Sequence, residues 1–296
     1  MSSVLSNASV PVGITVNEFA ARYLEEYCRL KESWRDDFRR VNKRIIPAFG
    51  HLDLSEVRRT HVNQLHKRMS KAPYEANRTL ELVQRMYEVA VEWEVLPDSH
   101  GNPARNVDPF PEFPRDVWVK QEQMPIVLEE INSLKSNTYR VAILMLLATG
   151  CRIEEMFKLK WSEVDFKGTQ IHIRRANTKT QQAHVVPITP YIEELLLSLS
   201  RHCEWVFPNR NGTDHLKSVS GTWHSIRRKA GIPEVQLKDL RSTAASWVAN
   251  DNVSLYTIQK MLNHTTPRCT QRYAKLQNAP VRIALERYHQ NLNPSA

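Results

Sequence analysis

Five prolines, Pro97, Pro103, Pro109, Pro111 and Pro114, crowd one stretch about a third of the way along the chain. Proline has no amide donor, and it pushes the residue before it away from the helical region. No helix or central strand can cross such a stretch, so the chain must fold as two bodies. Its 296 residues fit that reading at about 150 per domain. The expected organisation is a flexible N-terminus over 1–13, a first domain over 14–97, an extended connector over 98–118, a second domain over 119–290 and a tail over 291–296.

Composition narrows the class. Apolar residues make up 41% and charged residues 25%, which supports real cores and excludes wholesale disorder. Only 8 glycines are present, which argues against a glycine-rich nucleotide-binding fold. Cys28, Cys151, Cys203 and Cys269 show no paired spacing, neither a zinc module nor a disulfide framework, so a reducing, cytoplasmic setting is expected. The opening residues lack the basic stretch of a signal peptide. The longest apolar run, Val141 to Ala148, is too short to span a membrane.

The net charge of +9 is uneven. Residues 1–110 hold 16 basic and 15 acidic side chains, and residues 111–296 hold 25 and 17. A polyanionic partner is the physical expectation. In the first domain Arg35, Arg39, Arg40, Lys43 and Arg44 cluster, and Lys67, Arg68 and Lys71 follow. On a helix 35, 39 and 43 share a face, which is either a solvated surface or a phosphate-contacting stripe.

The first domain reads as four helices. Thr15 and Glu18 form a capping box, with Ile14 able to staple onto Phe19, for a helix reaching about Leu30. Trp34, Phe38, Val41 and Ile45 recur at helical spacing until Pro47 and Gly50. Thr60 can cap a third helix to about Ser70, and a fourth spans about Tyr74 to Val95. In the second domain Asn137 or Thr138 opens an apolar helix ending at Gly150. Alternation predicts strands over 170–174 and 184–188, joined by a polar hairpin tip. Thr189-Pro190 starts a helix, and others are expected near 190–199, 216–230, 239–250, 254–263 and 267–276. The fold class is mainly α with a small β-sheet.

Several short segments carry chemistry-bearing residues. Thr-Gly-Cys-Arg-Ile-Glu-Glu places Arg152 just after a glycine turn, with Glu155 one helical turn on, where a carboxylate can orient a guanidinium. Asn-Thr-Lys-Thr places Lys179 on the hairpin tip. Lys-Asp-Leu-Arg puts Lys238 and Arg241 on one face of a helix start. Leu-Asn-His, followed by Gln-Arg-Tyr, places His264 nine residues before Tyr273. His172, His184 and the cysteines show no partner logic and are assigned no role.

In order and spacing these segments resemble the tyrosine recombinase (phage integrase) family, over about Ile14 to Arg287. The helical first domain, with Asn102 to Arg105, is similar to that family's core-binding domain, and the second to its catalytic domain. The resemblance implies a site-specific recombinase that cuts and rejoins double-stranded DNA through a 3′-phosphotyrosyl intermediate, without metal, ATP or other cofactor. Arg152 and Arg241 would neutralise the phosphate, each such donor being worth roughly 3–4 kcal/mol in the transition state. Lys179 would be the general acid, His264 a phosphate ligand, Tyr273 the nucleophile and Glu155 a support. A homotetramer on two DNA sites is implied, in a bacterial nucleoid or the host cell of a phage.

The family usually has His where this chain has Lys238. A protonated lysine donates to phosphate but cannot take a proton, so water or a deprotonated Lys238 would replace the histidine as base. Lys at that place also resembles type IB topoisomerases, so a DNA-relaxing enzyme is an alternative, and a decayed DNA-binding factor is another. The long N-terminal domain of many phage integrases, which binds arm-type sites, has no counterpart in the residues before Ile14.

Overall fold

The computed structural model describes residues 13–31, 33–113, 115, 117–175, 182–251 and 253–271. The chain divides into two compact units, Met1–Pro114 and Arg115–Ala296. Among the described residues no helix is long and apolar enough to cross a membrane.

In the first unit the Thr15 hydroxyl accepts from the Glu18 amide at 3.2 Å, and the Glu18 carboxylate accepts from the Thr15 amide at 2.9 Å. This reciprocal cap opens α1 (Val16–Glu26). Helix α2 (Trp34–Arg40) passes through a π-turn, Val41–Ile45, into α3 (Ile46–Phe49). Helical spacing alone does not predict the wide turn. Pro47 accounts for it, because its ring crowds the carbonyl four residues back and it has no amide to donate there. Helix α4 (Arg59–Arg68) starts earlier than Thr60 predicts, because the His61 ring accepts from the Arg58 amide at 3.1 Å and supplies the cap. Helix α5 (Pro73–Glu92) ends before Val95, where Glu94 turns into a positive φ. Phe19, Tyr23, Val41, Ile45, Phe49, Leu54, Val83 and Met86 form the buried core of this unit.

Much of the proline-rich stretch expected as a connector is fastened to the first unit. Leu96, Ala104 and Val107 are buried in its core. On α5, Asn77 donates to the Phe110 carbonyl and to Glu112, each at 2.8 Å, and accepts from the Phe110 amide at 2.9 Å. The Phe110 ring stacks on His66 with centroids 4.2 Å apart, and His66 also hydrogen-bonds Asn77 at 3.0 Å.

The second unit starts with α6 (Met124–Asn132), a helix that sequence patterning does not announce. Helix α7 (Asn137–Thr149) is capped by Ser136, not by Asn137 or Thr138: the Ser136 hydroxyl accepts from the Tyr139 amide at 3.3 Å. Next come α8 (Ile153–Phe157) and an antiparallel sheet of β1 (Val164–Asp165), β2 (Gln170–Ile173) and β3 (His184–Pro187), in the order β1-β2-β3. Ile171 pairs with Val186 and Ile173 with His184. Helices α9 (Pro190–Leu197), α10 (Ser220–Lys229), α11 (Asp239–Asn250), α12 (Leu255–Met261) and α13 (Pro267–Gln271) complete the described elements. Helix α10 starts later than 216 because the Leu216 amide is held by the Phe207 carbonyl at 2.7 Å. The core surrounds α7, whose residues 141–146 are all buried, with Ile171, Ile173, Val186, Leu196, Trp223 and Leu240 against it.

Helix α11 is braced by the chain entering the unit. The Val119 amide donates to the Thr243 hydroxyl at 3.0 Å, and the Trp247 indole donates to the Val119 carbonyl at 3.0 Å. Arg115 reaches the Glu234 carbonyl at 2.7 Å and Asp239 at 3.2 Å.

Candidate active site

The apolar sequence of α7 ends at Gly150, which adopts φ +65°. Glycine meets this left-handed conformation without steric cost. The turn delivers Arg152 to the N-cap of α8. Glu155, on the first turn of α8 and 1% exposed in its side chain, accepts from the Arg152 amide at 3.0 Å and from its guanidinium at 2.6 Å. One carboxylate therefore caps the helix and aims the guanidinium.

Arg241, near the start of α11, donates to the Gly150 carbonyl at 2.8 Å and to the Leu262 carbonyl. A single guanidinium thus ties the end of α7 to the end of α12. His264 lies just beyond α12. Its amide is held by the Gln259 carbonyl at 3.0 Å, and its Nδ1 hydrogen-bonds the buried Thr270 hydroxyl of α13 at 2.8 Å. Asn263 donates to the Gln182 carbonyl at 3.3 Å, which links the same turn to the chain entering β3.

Arg152, Lys238 and Arg241 line one hollow of about 100 Å³, together with Leu146, Cys151, Ile153 and Leu237. Lys238 is exposed. Three cationic side chains round one concavity make a strongly anion-seeking site. Lys179 and Tyr273 lie outside the described residues. In the chain Lys179 falls between β2 and β3, and Tyr273 falls two residues after α13.

His184 and Cys151, assigned no role from sequence, sit beside Glu155. The Cys151 thiol, the Glu155 carboxylate and a His184 ring nitrogen all lie within 4.8 Å of one another, fully buried. Burial pushes the Cys151 thiol up to about 12, so it stays protonated. Both Glu155 oxygens already accept from Arg152. The signal that sequence reasoning missed is alternation: His184 and Val186 face inward on β3, and Val185 and Pro187 face outward.

In the first unit the cluster of cations is divided. Arg39 pairs with Glu75 at 2.8 Å, and Arg40 reaches the same carboxylate at 3.3 Å. The guanidinium of Arg35 lies 5.4 Å from the centre of the Trp34 ring. Lys43, Arg44, Lys67, Arg68 and Lys71 are exposed.

Residues 117–279 match the family model described as the phage integrase family, a span that includes both Lys179 and Tyr273. The chain is 23% identical over 266 residues to tyrosine recombinase XerC of Staphylococcus aureus (strain MRSA252), covering 85% of this chain and 87% of that protein. It is 26% identical over 175 residues to prophage integrase IntF of Escherichia coli (strain K12), a match that spans 56% of this chain but 36% of IntF. Its fold is similar to that of lambda integrase, solved as a dimer bound to a COC′ core site. There the TM-score is 0.75 at 14% identity, over 89% of this chain and 78% of that one. Lambda integrase solved as a tetramer bound to a Holliday junction gives a TM-score of 0.71 at 13% identity, over 86% and 78%. These likenesses do not favour a topoisomerase-like or decayed reading. The chain belongs to the phage integrase family and is a tyrosine recombinase, an enzyme of DNA breakage and rejoining.

Proposed function

We propose that this recombinase acts on defined sites in duplex DNA, in the cytoplasm, through a covalent link at Tyr273. The Tyr273 oxygen attacks the scissile phosphorus and forms a 3′-phosphotyrosyl bond. The bond from phosphorus to the 5′-oxygen breaks, and Lys179 gives that oxygen its proton. Arg152 and Arg241 stabilise the charge that develops on the nonbridging oxygens, and His264 hydrogen-bonds the same phosphate. Lys238 donates to the phosphate, and water takes the tyrosine proton. The energy of the broken bond is kept in the phosphotyrosyl link, so rejoining by the freed 5′-hydroxyl needs no ATP. Guanidinium and ammonium charge do the neutralising that a metal supplies in other enzymes.

The gathering of Arg152, Lys238 and Arg241 round one hollow carries this reading. Duplex DNA is the partner, and four copies of the chain join two sites, as the DNA-bound lambda integrase structures suggest. In the first unit Arg35, Lys43, Arg44, Lys67, Arg68 and Lys71 contact backbone phosphates, while Arg39 and Arg40 are paired with Glu75. The test is a nicked suicide substrate made from DNA flanking the gene. Wild type is expected to become covalently attached and Tyr273→Phe is not. A Tyr273→Phe adduct, or a wild type that binds the DNA without ever forming one, overturns the proposal.

A further inference from the structure

We propose that His184 is a positioning residue of the recombination site, holding the end of α12 that leads to His264 beside the Arg152–Glu155 pair. The proposal rests on the recombinase reading above and extends it to a side chain outside the catalytic set.

The geometry assigns His184 a specific proton. Its Nε2 lies 3.0 Å from the Met261 carbonyl, which can only accept, so Nε2 carries the hydrogen. Its Nδ1 lies 4.0 Å from the Glu155 carboxylate, too far for a hydrogen bond, and has no hydrogen-bond partner. The ring is 3% exposed. In the neutral imidazole, Nδ1 offers a lone pair to a carboxylate oxygen that also only accepts. The two groups stand apart, and Glu155 gives both its oxygens to Arg152. His184 therefore bonds its own strand β3 to the final turn of α12 and stands, without a bond, beside the carboxylate that caps α8.

A second proton on His184 changes the balance. Nδ1–H then donates toward the Glu155 oxygen that accepts from the Arg152 amide and draws the carboxylate off its arginine. Burial lowers the pKa of His184 below the ordinary histidine value, Glu155 and the hydrogen bond to the Met261 carbonyl oppose that shift, and Arg241 and Arg152 add to it. Among the described residues Cys151 is a further titratable neighbour, and it stays a neutral thiol. The ring is thus neutral at neutral pH, and the aligned state of Arg152 belongs to the neutral ring. Acidification erodes it only as pH falls through that lowered value, below the ordinary histidine range.

Single-turnover cleavage of the suicide substrate by the full chain, followed across pH 5.5–8.5, tests this. His184→Gln keeps an amide donor for the Met261 carbonyl but cannot titrate. It is expected to cleave near the wild-type rate at the alkaline end and to lack the wild-type acid limb. His184→Leu removes the donor and is expected to cleave roughly ten- to hundredfold more slowly at every pH, with DNA affinity unchanged. Circular dichroism confirms that each variant is folded, and if His184→Leu is not, the His184→Gln pH profile decides alone. A His184→Gln profile that keeps the acid limb, or a folded His184→Leu with the wild-type rate, overturns the positioning role. Failure of the wild type to form a Tyr273 adduct overturns the recombinase reading instead, so the two failures are distinct.

Discussion

A guanidinium that donates to two backbone carbonyls is held in place before any phosphate arrives. Arg241 has this anchorage, and a lysine, with a single ammonium, cannot reach both carbonyls and a phosphate oxygen in one plane. Arg241→Lys is expected to slow adduct formation by roughly 10²–10³-fold in single-turnover cleavage, with little loss of DNA binding. Glu155 has a structural share besides. Glu155→Gln puts an amide N–H or a weaker acceptor against the Arg152 donors. It is expected to lower stability by about 1–3 kcal/mol in urea titration, below the cost for a fully buried pair because Arg152 keeps a quarter of its side chain in water. Burial of neutral His184 makes stability depend on pH as well. The unfolded chain takes up that proton more readily than the folded one, so the stability held at neutral pH is lost as pH falls below about 6.5. Wild type is expected to lose more of its urea midpoint on acidification than His184→Gln does. Arg152 and Glu155 are readable in sequence because they share one helical turn. His184 is not, because its partners lie 77 residues away on α12 and on another element at α8, and only the folded sheet brings them together.

Among the elements, the one most exposed to a single change is the junction of α7 with α12. Gly150 holds φ +65°, and a Cβ there would sit 3.0 Å from Leu262 and 3.2 Å from Met261. Gly150→Ala is expected to cost about 1–2 kcal/mol from the left-handed backbone alone, measured by thermal or urea unfolding. Its cleavage rate falls too, because the carbonyl of that residue orients Arg241. The glycine stop, the Thr15 box and the Thr189-Pro190 start could be read in sequence because each is a local pattern of side chain and backbone. The two-residue β1 could not, since it is too short to show alternation, and its pairing comes from β2. The π-turn ahead of Pro47 was equally hidden. The proline announces that a helix must stop or adjust, and packing of Val41, Ile45 and Phe49 decides that it adjusts.

At the scale of the whole molecule, charge and connection set the behaviour. Residues 1–114 carry 16 basic and 16 acidic side chains, and residues 115–296 carry 25 and 16, so the entire +9 resides in the second unit. Affinity for DNA is expected to fall steeply with salt. Replacing Lys43 and Arg44 by alanine should flatten the log–log slope by roughly 2, at about 0.9 for each phosphate no longer neutralised. An unchanged slope in a filter-binding or anisotropy titration removes those two side chains from the interface. The proline pattern announced two bodies, but it could not reveal that Ala104 and Val107 fill the first core, because short apolar residues in a loop look the same buried or exposed. This has a practical edge for anyone dividing the gene. A piece stopped at Pro97 strips the acceptors from the Asn77 amide and opens a hole where Val107 lay. It should aggregate or melt without cooperativity, whereas a piece carried through to Pro114 retains its own clasp and should unfold in one sharp step.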